Sequence, residues 1–167
     1  LTVGYPATAA AKQASIVIPI VMANTLDPVG SGLVASLARP GGNVTGLSSL
    51  ARELNTKRLE VLKDAVPKLA QVGLLRLPGD NIGQDLQLKE LRPAAQALKL
   101  KLEEIETEAD AKGLESAFQT AKKKPVGAFL TITARQFFAE RKRIVELASK
   151  HQLPAIYFQK EFVDEGG

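Results

Sequence analysis

The chain has 167 residues, of which 45% are hydrophobic and 24% charged, with 22 basic residues against 18 acidic ones and a net charge of +4. That length allows one good core or two small α/β lobes, and the composition is that of a folded globular chain, not a disordered one. With no cysteine and a single histidine, disulfides, thiolate metal sites and a structural zinc site are excluded.

No apolar run nears the ~18 residues of a membrane span. The basic excess is modest, and its densest run, Lys122-Lys123-Lys124, reads as the solvated last turn of a helix. No basic stripe interleaved with aromatics accompanies it, so nucleic acid is not an expected partner.

Leu1-Thr2-Val3-Gly4-Tyr5-Pro6 reads as a strand end followed by a turn, and alanine-rich Ala7 to Ala14 as a helix. The β-branched run Ile16 to Met22 predicts a strand buried on both faces. Pro19 cannot donate to a ladder, so it belongs near that strand's start or on an edge. Asn24 to Gly32 is expected to be a loop and Gly30 to Leu37 a short helix, stopped by Arg39-Pro40-Gly41-Gly42. Asn43 to Leu47 follows as a brief strand.

From Leu54 long helices alternate with strands. Asn55 or Thr56 is placed to cap a helix carrying Leu59, Leu62 and Val66. Val72 to Leu75 is a strand closed by the turn Pro78-Gly79-Asp80-Asn81. Gln84 to Leu98 is helical, with Pro93 predicting a kink or a fresh start. Leu100 to Ile105 alternates apolar and charged residues, as a strand near a sheet edge does. Asp110 caps a helix to Lys123, Val126 to Ile132 is a strand, and Gln136 to Lys150 a single helix. Pro154 to Tyr157 is the last strand, and Lys160 to Glu165 a short helix.

This alternation predicts an α/β fold with Rossmann-like parallel sheets and helices on both faces. Ligands of such sheets lie beyond the carboxyl ends of the strands, which nominates the loops after Met22, Leu77, Ile132 and Tyr157.

In the first of these loops, Asp27 or Ser31 either caps the following helix or meets a ligand. The glycines form neither a dinucleotide fingerprint nor a phosphate loop with its lysine. Asp80 and Asn81 stand at a strand's carboxyl end, as turn residues or ligand contacts. Thr131, Thr133 and Arg135 straddle the next loop, where Arg135 either pairs with a carboxylate or is a solvated first-turn residue. Tyr157 and Gln159 close the last strand, the tyrosine stacking on a ligand or packing at the rim. His151 sits at a helix C-terminus, where a cation is favoured without any catalysis. No nucleophile elbow, histidine–serine pair or paired acids assemble, so we expect binding without chemistry: no enzyme, no cofactor and no metal.

Three blocks carry a family resemblance: Ile18-Pro19-Ile20-Val21, Asp27-Pro28-Val29-Gly30-Ser31-Gly32-Leu33-Val34, and Leu37-Ala38-Arg39-Pro40-Gly41-Gly42-Asn43-Val44-Thr45-Gly46. Together with Lys57-Arg58-Leu59-Glu60 and Leu153-Pro154-Ala155-Ile156-Tyr157, they closely resemble the ABC transporter substrate-binding protein family that includes tryptophan-uptake-type binding proteins. The resemblance implies a type-I periplasmic binding protein fold, two Rossmann-like lobes closing on a ligand. On that template residues 1–66 are a partial first lobe and residues 67–167 most of the second, incomplete at both ends, a fragment. It implies a solute-binding component of an ABC importer, periplasmic or extracellular and membrane-anchored, with a permease as partner in the intact protein. The ligand is a small organic solute, an amino acid or a carboxylate. Tyr5, Pro6, Thr25 and Asp27 would face the cleft from the first lobe. Asp80, Asn81, Thr133, Arg135, Tyr157 and Gln159 would face them from the second. The same fold also serves extracellular ligand-sensing domains of signalling proteins, which is the alternative. Exposed strand edges in such a piece predict a homo-oligomer or strand exchange.

Overall fold

The computed structural model describes residues 1–49, 51–79 and 82–167. Strand β1 (Thr2–Val3) leads into α1 (Gly4–Ala14), then β2 (Ile20–Leu26) and β3 (Val44–Ser49). Helix α2 (Ala51–Ala65) precedes β4 (Gln71–Arg76), α3 (Ile82–Ala97), β5 (Lys101–Glu106) and α4 (Ala111–Lys122). The chain continues through β6 (Ala128–Thr131), α5 (Arg135–Ala139), α6 (Arg141–Lys150), β7 (Ala155–Ile156) and α7 (Glu161–Asp164). Two parallel sheets result, ordered β1-β2-β3 and β5-β4-β6-β7.

Each sheet has its own apolar cluster. The smaller joins Ile20, Met22, Leu33, Val34 and Val44. The larger fills both faces of the second sheet, with Val72, Leu74, Leu75, Leu130 and Ile132 all fully buried, as a parallel sheet covered on both sides requires. Leu59 and Leu62 of α2 belong to this larger cluster. Strand β5 lies at the edge and carries its charge there, Glu104 pairing with Arg92 at 2.8 Å and Glu106 with Arg76 at 3.4 Å.

Several elements depart from the sequence expectation, each for a local reason. The strand begins only after Pro19, and Ile16, Val17 and Ile18 are 85%, 81% and 66% exposed. Ser15 Oγ accepts from the amides of Val17 and Ile18, and Asn43 Nδ2 donates to the carbonyls of Ser15 and Ile18. That turn takes the backbone groups a ladder would have used. Between Pro28 and Ala38 there are turns in place of a helix. Pro28 carbonyl accepts from both Leu33 and Val34, and Lys12 Nζ donates to the carbonyls of Gly32 and Leu33.

Helix α2 starts at Ala51, so Asn55 lies inside it, fully buried, and not at its cap. Helix α3 runs through Pro93, held by the buried face of Leu88, Leu91 and Ala95. The expected single helix over 136–150 is two, parted at Glu140 with φ −94° and ψ 14°. Asp110 caps α4 as predicted, its Oδ1 accepting from the Gly113 amide at 2.7 Å.

Candidate functional site

In the second sheet the chain leaves β4 for β5 on one side and then crosses to β6 on the other. The connections after β4 and β6 therefore diverge, which opens a crevice at their carboxyl ends. Leu77, after β4, and Thr133, Ala134 and Arg135, after β6, line a cavity of about 510 Å³ there. Its opposite wall comes from the carboxyl ends of the first sheet, with Val3 ending β1, Gly4 to Ala7 following it, and Asn24 and Leu26 from β2. A smaller cavity of about 310 Å³ adjoins it, lined by Ser49, Lys57, Arg58, Phe158 and Gln159 among others. Asn24 and Thr133 line both.

Helices α1 and α3 begin at the larger cavity. Val3, the residue before α1, offers no side-chain cap, so the first-turn amides there remain for water or a solute. Pro6 costs nothing in this first turn, where its missing N–H has no intrahelical partner to lose.

A buried polar network holds the second wall. Gln87, 1% exposed, accepts at Oε1 from the Thr133 amide at 2.7 Å and from Asn55 Nδ2 at 3.0 Å. Its Nε2 donates to the carbonyls of Gly83 and Thr133, both at 3.1 Å. Gln84 Oε1 accepts from the Leu77 amide at 2.8 Å, tying the start of α3 to the end of β4. Arg58 donates to Asn55 Oδ1 and, at 3.3 Å, to Thr133 Oγ1, with its guanidinium 5.9 Å from the Phe158 ring centre. Burial pushes the Arg58 guanidinium down to about 10, because desolvation penalises the charged form.

Of the residues singled out in the sequence, Tyr5, Pro6, Thr133 and Arg135 line the larger cavity. Gln159 lines the smaller one, and so does Thr133. Thr25, Asp27 and Tyr157 line neither. Thr25 is fully buried within β2. Asp27 Oδ1 accepts from the Gly30 amide at 2.8 Å and its carbonyl from Ser31. Tyr157 stacks on Phe162 at 4.7 Å, and burial pushes its phenol up to about 12. Asp80 and Asn81 lie outside the described residues.

Among the lining residues not singled out as site residues from the sequence are Asn24, Arg58, Gln84 and Gln87. For the two glutamines a signal existed. They fall on the same helical stripe as Leu88 and Leu91, polar residues on an apolar face beside a strand's carboxyl end.

The family model described as ABC transporter substrate binding protein matches residues 1–167. The chain belongs to the ABC transporter substrate-binding protein family. Members of this family bind solutes and are not enzymes. A structure of a conserved domain protein from Vibrio cholerae superposes with a TM-score of 0.84 at 26% identity, covering 99% of this substrate-binding chain and 54% of that one. The ABC domain from Streptococcus pneumonia, solved in complex with L-Trp, gives 0.81 at 24% identity over the same shares. Both have type-I periplasmic binding protein-like folds, which is the fold of this chain. A tyrosine-binding protein of Clostridioides difficile (strain R20291) is 41% identical over 73 residues, 44% of this chain and 21% of that protein. This substrate-binding chain thus spans about half the length of the solved structures it matches.

Proposed function

We propose that this chain is the solute-binding part of an ABC importer and takes an amino acid or a related carboxylate in the larger cavity between its two sheets. The observation that carries this is the convergence at that cavity of two helix N-termini with Arg135. The uncapped first turn of α1 and the two helix dipoles favour an anion, and a guanidinium matches a carboxylate in geometry. Tyr5, Leu26 and Leu77 offer apolar surface beside them, suited to the solute's side chain. A relative solved with L-Trp and one named for tyrosine support the amino-acid class.

On this reading residues 1–66 and 67–167 are two lobes that close on the solute, with α2 of the former packing its apolar face on the latter. Tyr5, Pro6, Thr133 and Arg135 contact the solute, and Asp80 and Asn81, outside the described residues, are further contacts expected from the family resemblance. Gln159 serves the smaller cavity, while Thr25, Asp27 and Tyr157 support the walls from behind. The partner is an ABC permease, and the protein works in the periplasm or outside the cell, held at the membrane. Calorimetry of the protein carrying this chain, across amino acids and carboxylates, tests the proposal. We expect saturable binding of at least one, weakened roughly tenfold or more in Arg135→Gln, the loss of a charged hydrogen bond. Absence of heat with the whole panel would overturn it.

A further inference from the structure

Asn24 combines three features that have no structural use in common. Its φ is +56°, the left-handed region, which non-glycine residues rarely occupy and asparagine tolerates best. It sits in the central strand of the first sheet, at a bulge: from Met22 to Thr25 the strand β2 takes three steps while β3 takes two, from Gly46 to Ser48. Bulges of this kind turn a side chain out of the strand's alternation, and they concentrate beside functional sites. The third feature is position, since Asn24 is exposed and lines both cavities.

Across from it stands Thr133, the other residue common to the two cavities, and Thr133 has little freedom. Its amide and carbonyl are both held by Gln87, and its hydroxyl oxygen accepts from Arg58. Among the described residues no hydrogen bond engages the Asn24 carboxamide. The cavity walls carry Lys57, Arg58 and Arg135 and, among the described residues, no carboxylate. Among the described lining residues, the acceptors open to a cationic group on a solute held there are therefore neutral oxygens. Gln84 Oε1 and Gln87 Oε1 already accept from backbone amides. Gln136 and Gln159 are exposed and reach one cavity each.

We propose that Asn24 reads the α-ammonium of the solute, its Oδ1 accepting from that group while Arg135 takes the carboxylate, so that the site selects α-amino acids over their des-amino analogues. This rests on the proposed role of the larger cavity as the solute site. The bulge costs backbone strain and aims a short polar side chain to one point, which is what recognition of a compact charged group needs.

The test compares L-tryptophan with indole-3-propionate, and L-tyrosine with 3-(4-hydroxyphenyl)propionate, by calorimetry on the protein carrying this chain. Asn24→Gly keeps the left-handed backbone at no steric cost and deletes the carboxamide. It is expected to lower affinity for the preferred amino acid roughly 10- to 100-fold while moving its des-amino analogue by less than about threefold. Asn24→Asp is expected to keep or raise the preference for the amino acid, since it supplies a charged acceptor at the same point. Thermal melts of Asn24→Gly should match the parent, which separates recognition from a fold defect. A parent that binds amino acid and analogue equally overturns this proposal alone. So does an Asn24→Gly variant that keeps its preference or weakens both ligands alike. A parent that binds none of the four overturns it together with the proposed role of the cavity.

Discussion

Gln87 grips Thr133 by both backbone polar groups, accepting from its amide at 2.7 Å and donating to its carbonyl at 3.1 Å. A side-chain amide thereby replaces the strand that would otherwise pair with β6 at this point, and the turn leading to Arg135 is fastened to α3. Replacing Gln87 with leucine would keep the volume and take the partner from the Thr133 amide and from Asn55 Nδ2. The expected cost is about 2–3 kcal/mol, or roughly 4–12 °C in Tm for a chain of this size. A differential-scanning measurement on Gln87→Leu checks it, and an unchanged Tm would show that the clamp is dispensable.

Gly46 is held by a second close approach. It lies at φ +139°, and an added Cβ would fall 1.9 Å from the Met22 carbonyl oxygen. No flexible side chain can yield there, because the obstacle is the backbone of the neighbouring strand. Gly46→Ala is therefore expected to cost about 3 kcal/mol or more. Urea unfolding followed by far-UV circular dichroism measures it, and a loss under ~0.5 kcal/mol, the ordinary surface range, would refute the argument.

Tyr157 sets a limit at alkaline pH. Its phenol is pushed up to about 12 by burial, so the folded state keeps a proton that the unfolded chain releases near the usual 10. The stability linked to this proton is complete below pH 10 and falls away as pH rises from 10 towards 12. Arg58, pushed down to about 10, works with the opposite sign above pH 10, because there the unfolded chain holds the extra proton. The comparison with Tyr157→Phe isolates the tyrosine's share. Melts of the two proteins between pH 8 and 11.5 should run parallel below pH 10 and diverge above it, the variant losing less.

The exposed triplet Ile16-Val17-Ile18 predicts self-association of the 167-residue chain. Three adjacent apolar side chains just before β2 form a surface that a second copy covers readily. Light scattering is expected to give a mass that rises with concentration, and to give a smaller rise for a variant with serine at all three positions. A concentration-independent monomer mass for the parent chain would count against it.

How far the sequence could be read depended on whether the cause was local or distant. The alternation of β-branched runs with helical stripes predicted parallel sheets, and Asp110, three residues before Gly113, announced its own cap. The Ile16–Met22 run misled because its first half is apolar yet engaged by Ser15 and Asn43, the latter 28 residues from Ser15. Asn55 looked like a cap since asparagine usually avoids helix interiors; its actual partners, Gln87 and Arg58, include one 32 residues away. Thr133 and Arg135 were legible as cavity residues because the carboxyl-end rule depends on chain order alone, whereas Tyr5 and Pro6 were expected there from the family resemblance. Asn24 was not, because a bulge is a mismatch between two strands and no single strand records it. Arg58 likewise stands in a helix whose facing residues come from elsewhere in the chain.

The two apolar clusters are unequal, and that inequality divides the labour between the cavity walls. The first sheet rests on five buried side chains, Met22 among them, whereas the second is packed on both faces. Local opening follows the number of buried apolar neighbours, so the first sheet loosens at a lower free energy than the second. The wall carrying Thr133 and Arg135, backed by the larger core, is then the more rigid one. On the proposed reading of the cavity, the wall carrying Tyr5 and Asn24 is the compliant one, the side expected to adjust around a guest.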